Sequence, residues 1–313
     1  MQNKGPNSLF GVDINEYTQN VDFKVLGTNI DFLYLRSSGS GSGRFRVDKK
    51  FLEFAKESRT FGIPVGAYHY GVPSYDLTTA DNQCDDFIAI LQNGFGQKDY
   101  GDLFPVIDVE APVENKITNV ALVNWIDRFR KRFEKKTRRR LMLYTGAFFI
   151  DLYNGFKIPD KGYPLKNMPL WIAMYTKIPG NPPYPKDAGG WTRWRIWQFS
   201  EDLKVEGISS PVDANWGPNN LALLMQPSNV KGLKATRSVN EINVSWDRVE
   251  DIDLLGYNLF VNSEWVGTVD KGDIEFSISR TKVPVNYNQP LNLSIEAFDY
   301  DGETSKKRTM ITV

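Results

Sequence analysis

Residues 104–110 read Phe-Pro-Val-Ile-Asp-Val-Glu (FPVIDVE), a short β-prone run that carries two acidic residues. Asp108 and Glu110 stand two positions apart, so on a strand their side chains point to the same face. Burying two neighbouring carboxylates is costly, because each loses hydration and repels the other. A fold that keeps this run buried therefore needs other interactions, or a function of the two acids, to offset that cost.

Seven similar apolar runs lie between residue 10 and about residue 216, and helical patterns separate the early ones. The predicted strands are 10–14, 31–36, 63–70, 104–110, 141–145, 169–175, 194–200 and 211–216. The predicted helices are 20–27, 47–62, 78–96, 117–140 and 146–154. Strands that are apolar on both faces are typical of parallel sheets. Eight strands with helices after only the first five predict a flattened TIM-like α/β barrel of the (β/α)5(β)3 type.

The pattern changes after Trp216, and no long helical period follows Val230. Short alternating runs separated by turn residues predict a small all-β, immunoglobulin-like sandwich. They are 241–246, 256–262, 265–269, 274–279, 291–298 and 308–313. We therefore predict a catalytic barrel domain over residues 1–224 and a β-sandwich domain over residues 225–313.

Composition excludes several classes of function. Lys plus Arg and Asp plus Glu balance at 38 each, which gives no field for nucleic acid. No run reaches about 18 apolar residues, so we expect no membrane insertion. The single cysteine, Cys84, and single histidine, His69, exclude Cys-rich and multi-His metal sites. We expect no metal and no cofactor. Residues 1–10 lack the apolar core of a signal peptide.

Two further strands resemble the opening one in carrying an acid near their ends. Asp13 lies in FGVDI and Asp213 in PVDANW, so with Asp108 and Glu110 four acids would meet at one barrel mouth. Crowding raises the pKa of at least one carboxyl, which then serves as a general acid beside an ionised neighbour. That pairing suits glycosidic cleavage. Structural ion pairs, for example with Arg36, and a Mg²⁺ or Ca²⁺ site are the alternatives.

The motifs resemble the glycoside hydrolase family 25 lysozymes, the Chalaropsis-type muramidases, over about residues 10–216. The similarity follows chain order through GVDINEYTQNVDF, FLYLRSSG, GIPVGAYHY, PVIDVE, LMLYTG, LWIAMY and IWQFSEDLKVEGISSPVDANW. The resemblance implies a barrel of eight strands and five helices. It also implies cleavage of the β-1,4 bond between N-acetylmuramic acid and N-acetylglucosamine in bacterial peptidoglycan.

The same resemblance implies roles for individual residues. Glu110 matches the general acid, and Asp108 matches the acid that assists the substrate's acetamido group or the attacking water. Asp13 and Asp213 match supporting acids of the cleft. The positions that match the substrate-binding set are Tyr68, Tyr144, Trp171, Tyr175 and Arg36. The spacing of Asp108 and Glu110 leaves neighbouring-group participation and other routes open.

The tail resembles a fibronectin type III domain through PSNVKGLKA, INVSW and LSIEAFDYDGETS. Domains of this kind in wall hydrolases bind a cell-wall ligand or act as spacers. Together the two resemblances suggest a phage or prophage endolysin for host cell lysis. Such a protein would be made in the bacterial cytoplasm without a signal peptide and act on the wall after holin-dependent release or from outside. A non-catalytic glycan-binding or phage structural protein with the same cleft, and a chitinase-like enzyme, are the rival hypotheses.

Overall fold

The computed structural model of the chain describes residues 1–41, 43–110, 117–175 and 183–313. These residues form two units, Met1–Leu224 and Met225–Val313. Each unit has its own cluster of buried apolar side chains.

Strands of the first unit form one sheet that closes on itself. They are β1 (Phe10–Ile14), β2 (Phe32–Gly39), β3 (Arg46–Val47), β4 (Val65–Tyr70), β5 (Val106–Asp108), β6 (Met142–Gly146), β7 (Leu170–Ala173), β8 (Ile196–Leu203) and β9 (Val212–Trp216). The order is β1-β9-β8-β7-β6-β5-β4-β2, and β1 pairs again with β2 to complete the barrel. The short β3 pairs only with the end of β2. The predicted α/β barrel is confirmed.

Five α-helices lie in the described part of this unit, each after one of the early barrel strands. They are α1 (Phe23–Leu26), α2 (Phe51–Thr60), α3 (Thr78–Phe95), α4 (Asn119–Thr137) and α5 (Ala147–Leu152). Asp22 and Thr118 cap α1 and α4 by accepting hydrogen bonds from backbone N–H groups of the first turn. Buried apolar residues recur along one face of α3 and include Cys84, which packs in the core. None of the described helices combines the length and apolarity needed to span a membrane.

The barrel departs from the sequence predictions in three places. The closing strand β9 runs antiparallel to both β8 and β1, although the apolar runs indicated parallel pairing. Strand β5 ends at Asp108, so Glu110 lies just beyond it rather than within a strand reaching residue 110. Strand β2 runs to Gly39, beyond the predicted end at residue 36, because β3 and β4 supply hydrogen-bonding partners for residues 38 and 39.

Aromatic rings fill the inside of the barrel, and glycines make room for them. Tyr34 packs against Trp171 with ring centroids 4.7 Å apart, and both side chains are fully buried. The Tyr34 hydroxyl donates a hydrogen bond to the carbonyl of Phe104, which satisfies its one polar group. Gly66, on the neighbouring strand β4, lies against the Tyr34 ring, where a side chain would collide. The barrel is therefore a packed core whose chemistry must lie at one end.

The second unit consists of two antiparallel sheets. Its strands are β10 (Lys234–Arg237), β11 (Glu241–Ser245), β12 (Leu254–Val261), β13 (Glu264–Asp270), β14 (Glu275–Ser279), β15 (Asn292–Asp299) and β16 (Thr309–Thr312). One sheet has the order β10-β11-β14 and the other β13-β12-β15-β16. Side chains from both sheets, such as Ile242 and Tyr257, belong to one buried cluster. The two sheets therefore enclose a common core.

We predict that Gly66→Ala destabilises the barrel, because the added methyl carbon would lie 2.5 Å from the Tyr34 ring and 3.0 Å from the Leu103 side chain. Overpacking of this kind lowers the free energy of unfolding by about 1–3 kcal/mol. Urea unfolding followed by tryptophan fluorescence measures the change. Gly5→Ala is the control, because its nearest neighbouring atom would be 3.9 Å away. Equal stability of the two variants would contradict this account of the core.

Candidate functional site

A narrow cleft lies at the end of the barrel where strands β4 to β7 finish. Strand β1 and strands β8 and β9 complete its wall. The residues that line it are Asp13, Tyr68, Asp108, Glu110, Tyr144, Trp171, Gln198 and Asp213. The structure thus brings together all four acids singled out in the sequence, with three of the five positions expected to bind substrate.

Strand pairing explains why distant acids meet. Asp13 on β1 lies directly opposite Asp213 on the antiparallel strand β9. Such partners have Cα atoms about 4.5–5.5 Å apart. Asp108 is the last residue of β5, in register with Tyr144 on β6. Glu110 follows two residues later and is half-buried. The four carboxyls therefore share one small space at the barrel mouth.

The other two expected substrate-binding residues lie beside the cleft rather than in its wall. Tyr175 donates a hydrogen bond from its hydroxyl to Gln198 Oε1 at 2.6 Å. Arg36 turns toward Glu16 and Asp48 and lines a neighbouring cavity. The charge of Arg36 lowers the pKa of Asp108, although burial and the charges of Glu110 and Asp13 raise that pKa by more.

Asp13 is the centre of a buried hydrogen-bond network. Its Oδ2 accepts hydrogen bonds from the side-chain amides of Gln198, at 2.9 Å, and Asn215, at 2.8 Å. Each amide is oriented by a further donor. The Tyr144 hydroxyl donates to Gln198 Oε1 at 2.8 Å, and the Trp171 indole N–H donates to Asn215 Oδ1 at 2.9 Å. With their oxygens occupied in this way, both amides present N–H groups to Asp13.

This network decides where a proton resides in the Asp13–Asp213 pair. Burial raises the pKa of both carboxyls. Hydrogen bonds from Asn215 and Gln198 oppose that effect at Asp13, because they stabilise its ionised form. At Asp213, burial, the charge of Asp13 and a hydrogen bond to Asp13 together raise the pKa to about 9. Near neutral pH, Asp213 therefore holds a proton that it can donate in a hydrogen bond to Asp13, and the two amides favour the ionised form of that acceptor.

Asp108 and Glu110 are also held toward their protonated forms. Burial, and then the charges of Glu110 and Asp13, raise the pKa of Asp108 well above its usual value. Its Oδ1 is buried with no hydrogen-bond partner among the described residues. Burial, followed by the charge of Asp13, raises the pKa of Glu110 to about 7. A half-buried carboxyl with such a pKa can give up a proton near neutral pH.

Gln198 and Asn215 were not predicted to be site residues, although a feature of the sequence points to each of them. Gln198 interrupts the apolar run Ile-Trp-Gln-Phe at residues 196–199, and it is almost fully buried. Asn215 follows Asp213 by two positions on one strand, so both point to the same face. A buried polar side chain inside an apolar strand needs a hydrogen-bond partner, and this rule would have identified both residues as members of the site.

His69 lies outside the cleft. It is fully buried between barrel and helices, parallel to the ring of Phe129 at 6.1 Å between centroids. Its ring nitrogens contact Ser38 at 2.9 Å and Gln83 at 3.2 Å. Burial lowers the pKa of His69 to about 4, so the ring is neutral near pH 7. In the described part of the chain, no group of His, Cys, Asp and Glu residues has an arrangement suited to a metal ion.

Comparison with known proteins shows which families and structures this chain is similar to. The sequence pattern of "Glycosyl hydrolases family 25" matches residues 12–208. N,O-diacetylmuramidase of Arthroderma benhamiae is 30% identical over 217 residues, which is 64% of this chain and 81% of that protein. Lysozyme M1 of Streptomyces globisporus is 26% identical over 225 residues, covering 70% and 71% of the two chains.

One solved structure is similar along the whole chain. The Clostridium perfringens spore cortex lytic enzyme SleM superposes with a TM-score of 0.94 and 55% sequence identity, covering 100% of this chain and 99% of that one. The similarity therefore includes both units of the present protein.

We predict that Asp213→Asn makes the free energy of unfolding less sensitive to rising pH. A folded-state pKa raised from 3.8 to about 9 adds stability at low pH that is lost as the pH rises toward 9. Asparagine keeps a hydrogen-bond donor for Asp13 and has no proton to lose. Between pH 5 and pH 8, the free energy of unfolding of the parent should fall by at least about 1.4 kcal/mol more than that of the variant. This is the free energy that corresponds to one pKa unit.

Thermal unfolding at the two pH values measures this effect. Asp160→Asn serves as the control, because Asp160 is exposed and occupies a left-handed backbone conformation that asparagine tolerates. A parallel pH dependence in parent and Asp213→Asn would show that Asp213 is ionised in the folded protein.

Proposed function

The chain belongs to glycosyl hydrolases family 25 and is a glycoside hydrolase, and on this basis we propose that it is a peptidoglycan muramidase. Its substrate is the β-1,4 bond between N-acetylmuramic acid and N-acetylglucosamine in bacterial peptidoglycan. The observation that carries the proposal is Glu110, a half-buried carboxyl with a pKa of about 7 among three further acids in an open-ended cleft.

Glu110 is the proposed general acid. Cleavage of a glycosidic bond requires a proton on the leaving oxygen, and the remaining sugar passes through an oxocarbenium-like state. Asp108, two residues away, assists either the substrate's acetamido group or the attacking water. Asp13, whose ionised form is favoured by hydrogen bonds from two amides, provides negative charge near the developing cation. Asp213 stabilises the carboxylate of Asp13 by donating a hydrogen bond to it from its own protonated carboxyl.

A protein that only binds glycan has no need for this arrangement. Glycan binding alone gains nothing from a cluster of carboxyls whose pKa values are raised by burial and by neighbouring negative charge. Several pKa-perturbed carboxyls in one cleft are typical of catalytic sites. The non-catalytic hypothesis is therefore disfavoured.

For the biological setting, we propose the spore cortex as the peptidoglycan that this protein hydrolyses. SleM, described as a spore cortex lytic enzyme, is 55% identical across both units. The phage endolysin suggested by the sequence remains a prediction with less support, since its basis was the general resemblance to the family. In either setting the protein acts on a wall polymer, outside the cytoplasm in which it is made.

We further propose that Met225–Val313 is a fibronectin type III-like domain. Support comes from its three-stranded and four-stranded antiparallel sheets around one core. Trp246, which follows strand β11, packs against Tyr257 of the opposite sheet with ring centroids 5.3 Å apart. A cell-wall ligand for this domain also remains a prediction.

The first test is Glu110→Gln, which we expect to lower kcat by about 10²–10⁴-fold while the fold stays intact, because the amide cannot donate the required proton. Peptidoglycan from spore cortex, peptidoglycan from vegetative cells and chitin are digested in parallel. Mass spectrometry then identifies the new reducing-end sugars. We expect muramic ends, released fastest from cortex.

Glu206→Gln, an exposed carboxyl outside the cleft, is the matched control and should retain parental activity. Glucosamine ends from chitin would support the chitinase-like rival, and no new ends from any substrate would support glycan binding. Parental activity of Glu110→Gln would refute the assignment of the acid.

The pH profile provides a second test. Since the pKa of Glu110 is raised to about 7, the protonated fraction falls about tenfold for each pH unit above that value. We therefore expect kcat/KM to decline above pH 7 with a slope of about −1 on a logarithmic scale. Initial rates between pH 5 and pH 9 on a soluble glycan measure it. A profile that is flat up to pH 9 would contradict the proposed proton donor.

A further inference from the structure

A second cavity of about 270 Å³ lies beside the acid cleft and is lined by two arginines. Its walls are Arg36, Gly39, Gly41, Arg46, Asp48 and Tyr70. Apart from the effect of Arg36 on the pKa of Asp108, none of these residues has a part in the chemistry assigned to the four acids. The cavity is nevertheless built into the same end of the barrel.

Strand register places the cavity next to the acids. Tyr70 is paired in register with Asp108, and Arg36 is paired with Tyr68, a residue of the cleft wall. Neighbouring strands are about 4.8 Å apart. Charge effects agree with this placement: besides burial, the charges of Asp108 and Glu110 raise the pKa of Tyr70 to about 12. A sugar bound at Glu110 therefore has the cavity within reach of its substituents.

The two arginines face the cavity, whereas the acids that hold them are buried. Arg36 Nε bonds Asp48 Oδ2 at 2.9 Å, and both Arg36 and Arg46 contact Glu16 Oε1. The Glu16 and Asp48 side chains are only 6% and 1% exposed, while those of Arg36 and Arg46 are 19% and 49% exposed. Solvent in the cavity therefore meets guanidinium groups that are held in place by almost fully buried carboxylates.

The shape of the cavity depends on glycines. A methyl group at Gly41 would lie 3.1 Å from the ring of Tyr70, and one at Gly39 would lie 3.2 Å from the Tyr70 Cβ. Their lack of side chains leaves room in front of the arginines. Tyr17, 69% exposed, lies beside Arg36, whose guanidinium is 5.2 Å from the centre of the Tyr17 ring. An exposed aromatic ring next to a cavity lined by arginines is suited to a charged sugar derivative.

We propose that this cavity binds a carboxylate carried by the muramic residue, with Arg46 as the principal contact. This inference rests on the proposed muramidase function. Muramic acid differs from glucosamine by a lactyl ether on the sugar ring, which ends in a free carboxylate or continues into the stem peptide with its own carboxylates. Arginine matches the planar geometry of a carboxylate with two parallel hydrogen bonds. The cavity thus distinguishes muramic acid from glucosamine on one side of the scissile bond.

The test compares three glycan substrates with the intact two-unit protein. One carries stem peptides, the second has the peptides removed so that the lactyl carboxylate is free, and in the third that carboxylate is converted to a neutral methylamide. For the parent we expect KM on the methylamide to be about tenfold higher than on the carboxylate. Arg46→Gln should raise KM on the carboxylate by the same factor, leave kcat unchanged and leave the methylamide unaffected.

Three matched variants separate recognition from structural damage. Arg46→Lys keeps the charge and should recover part of the KM effect. Arg46→Gln combined with Glu16→Gln removes the carboxylate that would otherwise be left unpaired, and it should retain the full KM increase. Arg44→Gln removes the same charge from an exposed position outside the cavity lining, and it should behave as the parent.

Each outcome decides the inference. A KM increase confined to the peptide-free carboxylate identifies the lactyl group, and one confined to the peptide-bearing substrate identifies the stem peptide. The carboxylate site is overturned if Arg46→Gln leaves KM unchanged on both carboxylate substrates. It is also overturned if KM rises equally for Arg44→Gln, or if Arg46→Gln raises KM equally on the methylamide. In these cases muramic ends released by the parent still support the muramidase function. Absence of muramic ends from the parent overturns both.

Discussion

The buried carboxyl of Asp13 is the constraint on which the barrel mouth depends. A carboxylate so far from water is stable only when donors replace its hydration. Gln198 and Asn215 supply two amide donors, and the proton of Asp213 supplies a third. Loss of any one donor would leave the charge poorly compensated and would shift the proton balance of the whole cleft. Burial has the largest effect on the pKa of Glu110, and the charge of Asp13 raises that pKa further from across the barrel.

Barrel closure makes this network possible. Strand β9 runs antiparallel to its neighbours, and this orientation places Asp213 opposite Asp13. The same strand directs Asn215, two residues on, to the same face, where Trp171 orients its amide. Aromatic residues of the barrel wall therefore have two tasks. Their rings fill the core, and their N–H and O–H groups orient the amides that hold the charge.

The cleft and the neighbouring cavity use opposite electrostatic designs. In the cleft, acids crowd together, and burial and neighbouring charges raise the pKa values of Asp108, Glu110 and Asp213. In the cavity, Arg36 and Arg46 pair with Glu16 and Asp48, and the hydrogen bond from Arg46 lowers the pKa of Glu16 to about 2. The first arrangement suits proton transfer and the second suits recognition of an anion. A substrate that carries both a glycosidic bond and a carboxylate would use both.

The sequence alone determined the α/β barrel and the four acids of the cleft, because strand periodicity and acids near strand ends are local features. Tertiary structure decided the rest. Which strands are neighbours, and in which direction, fixes the Asp13–Asp213 pair, and no local pattern showed that β9 is antiparallel. It also decided that Arg36 turns from the cleft toward Asp48. Proton positions and charge neutralisation depend on contacts between residues far apart in the chain, so only the folded barrel defines them.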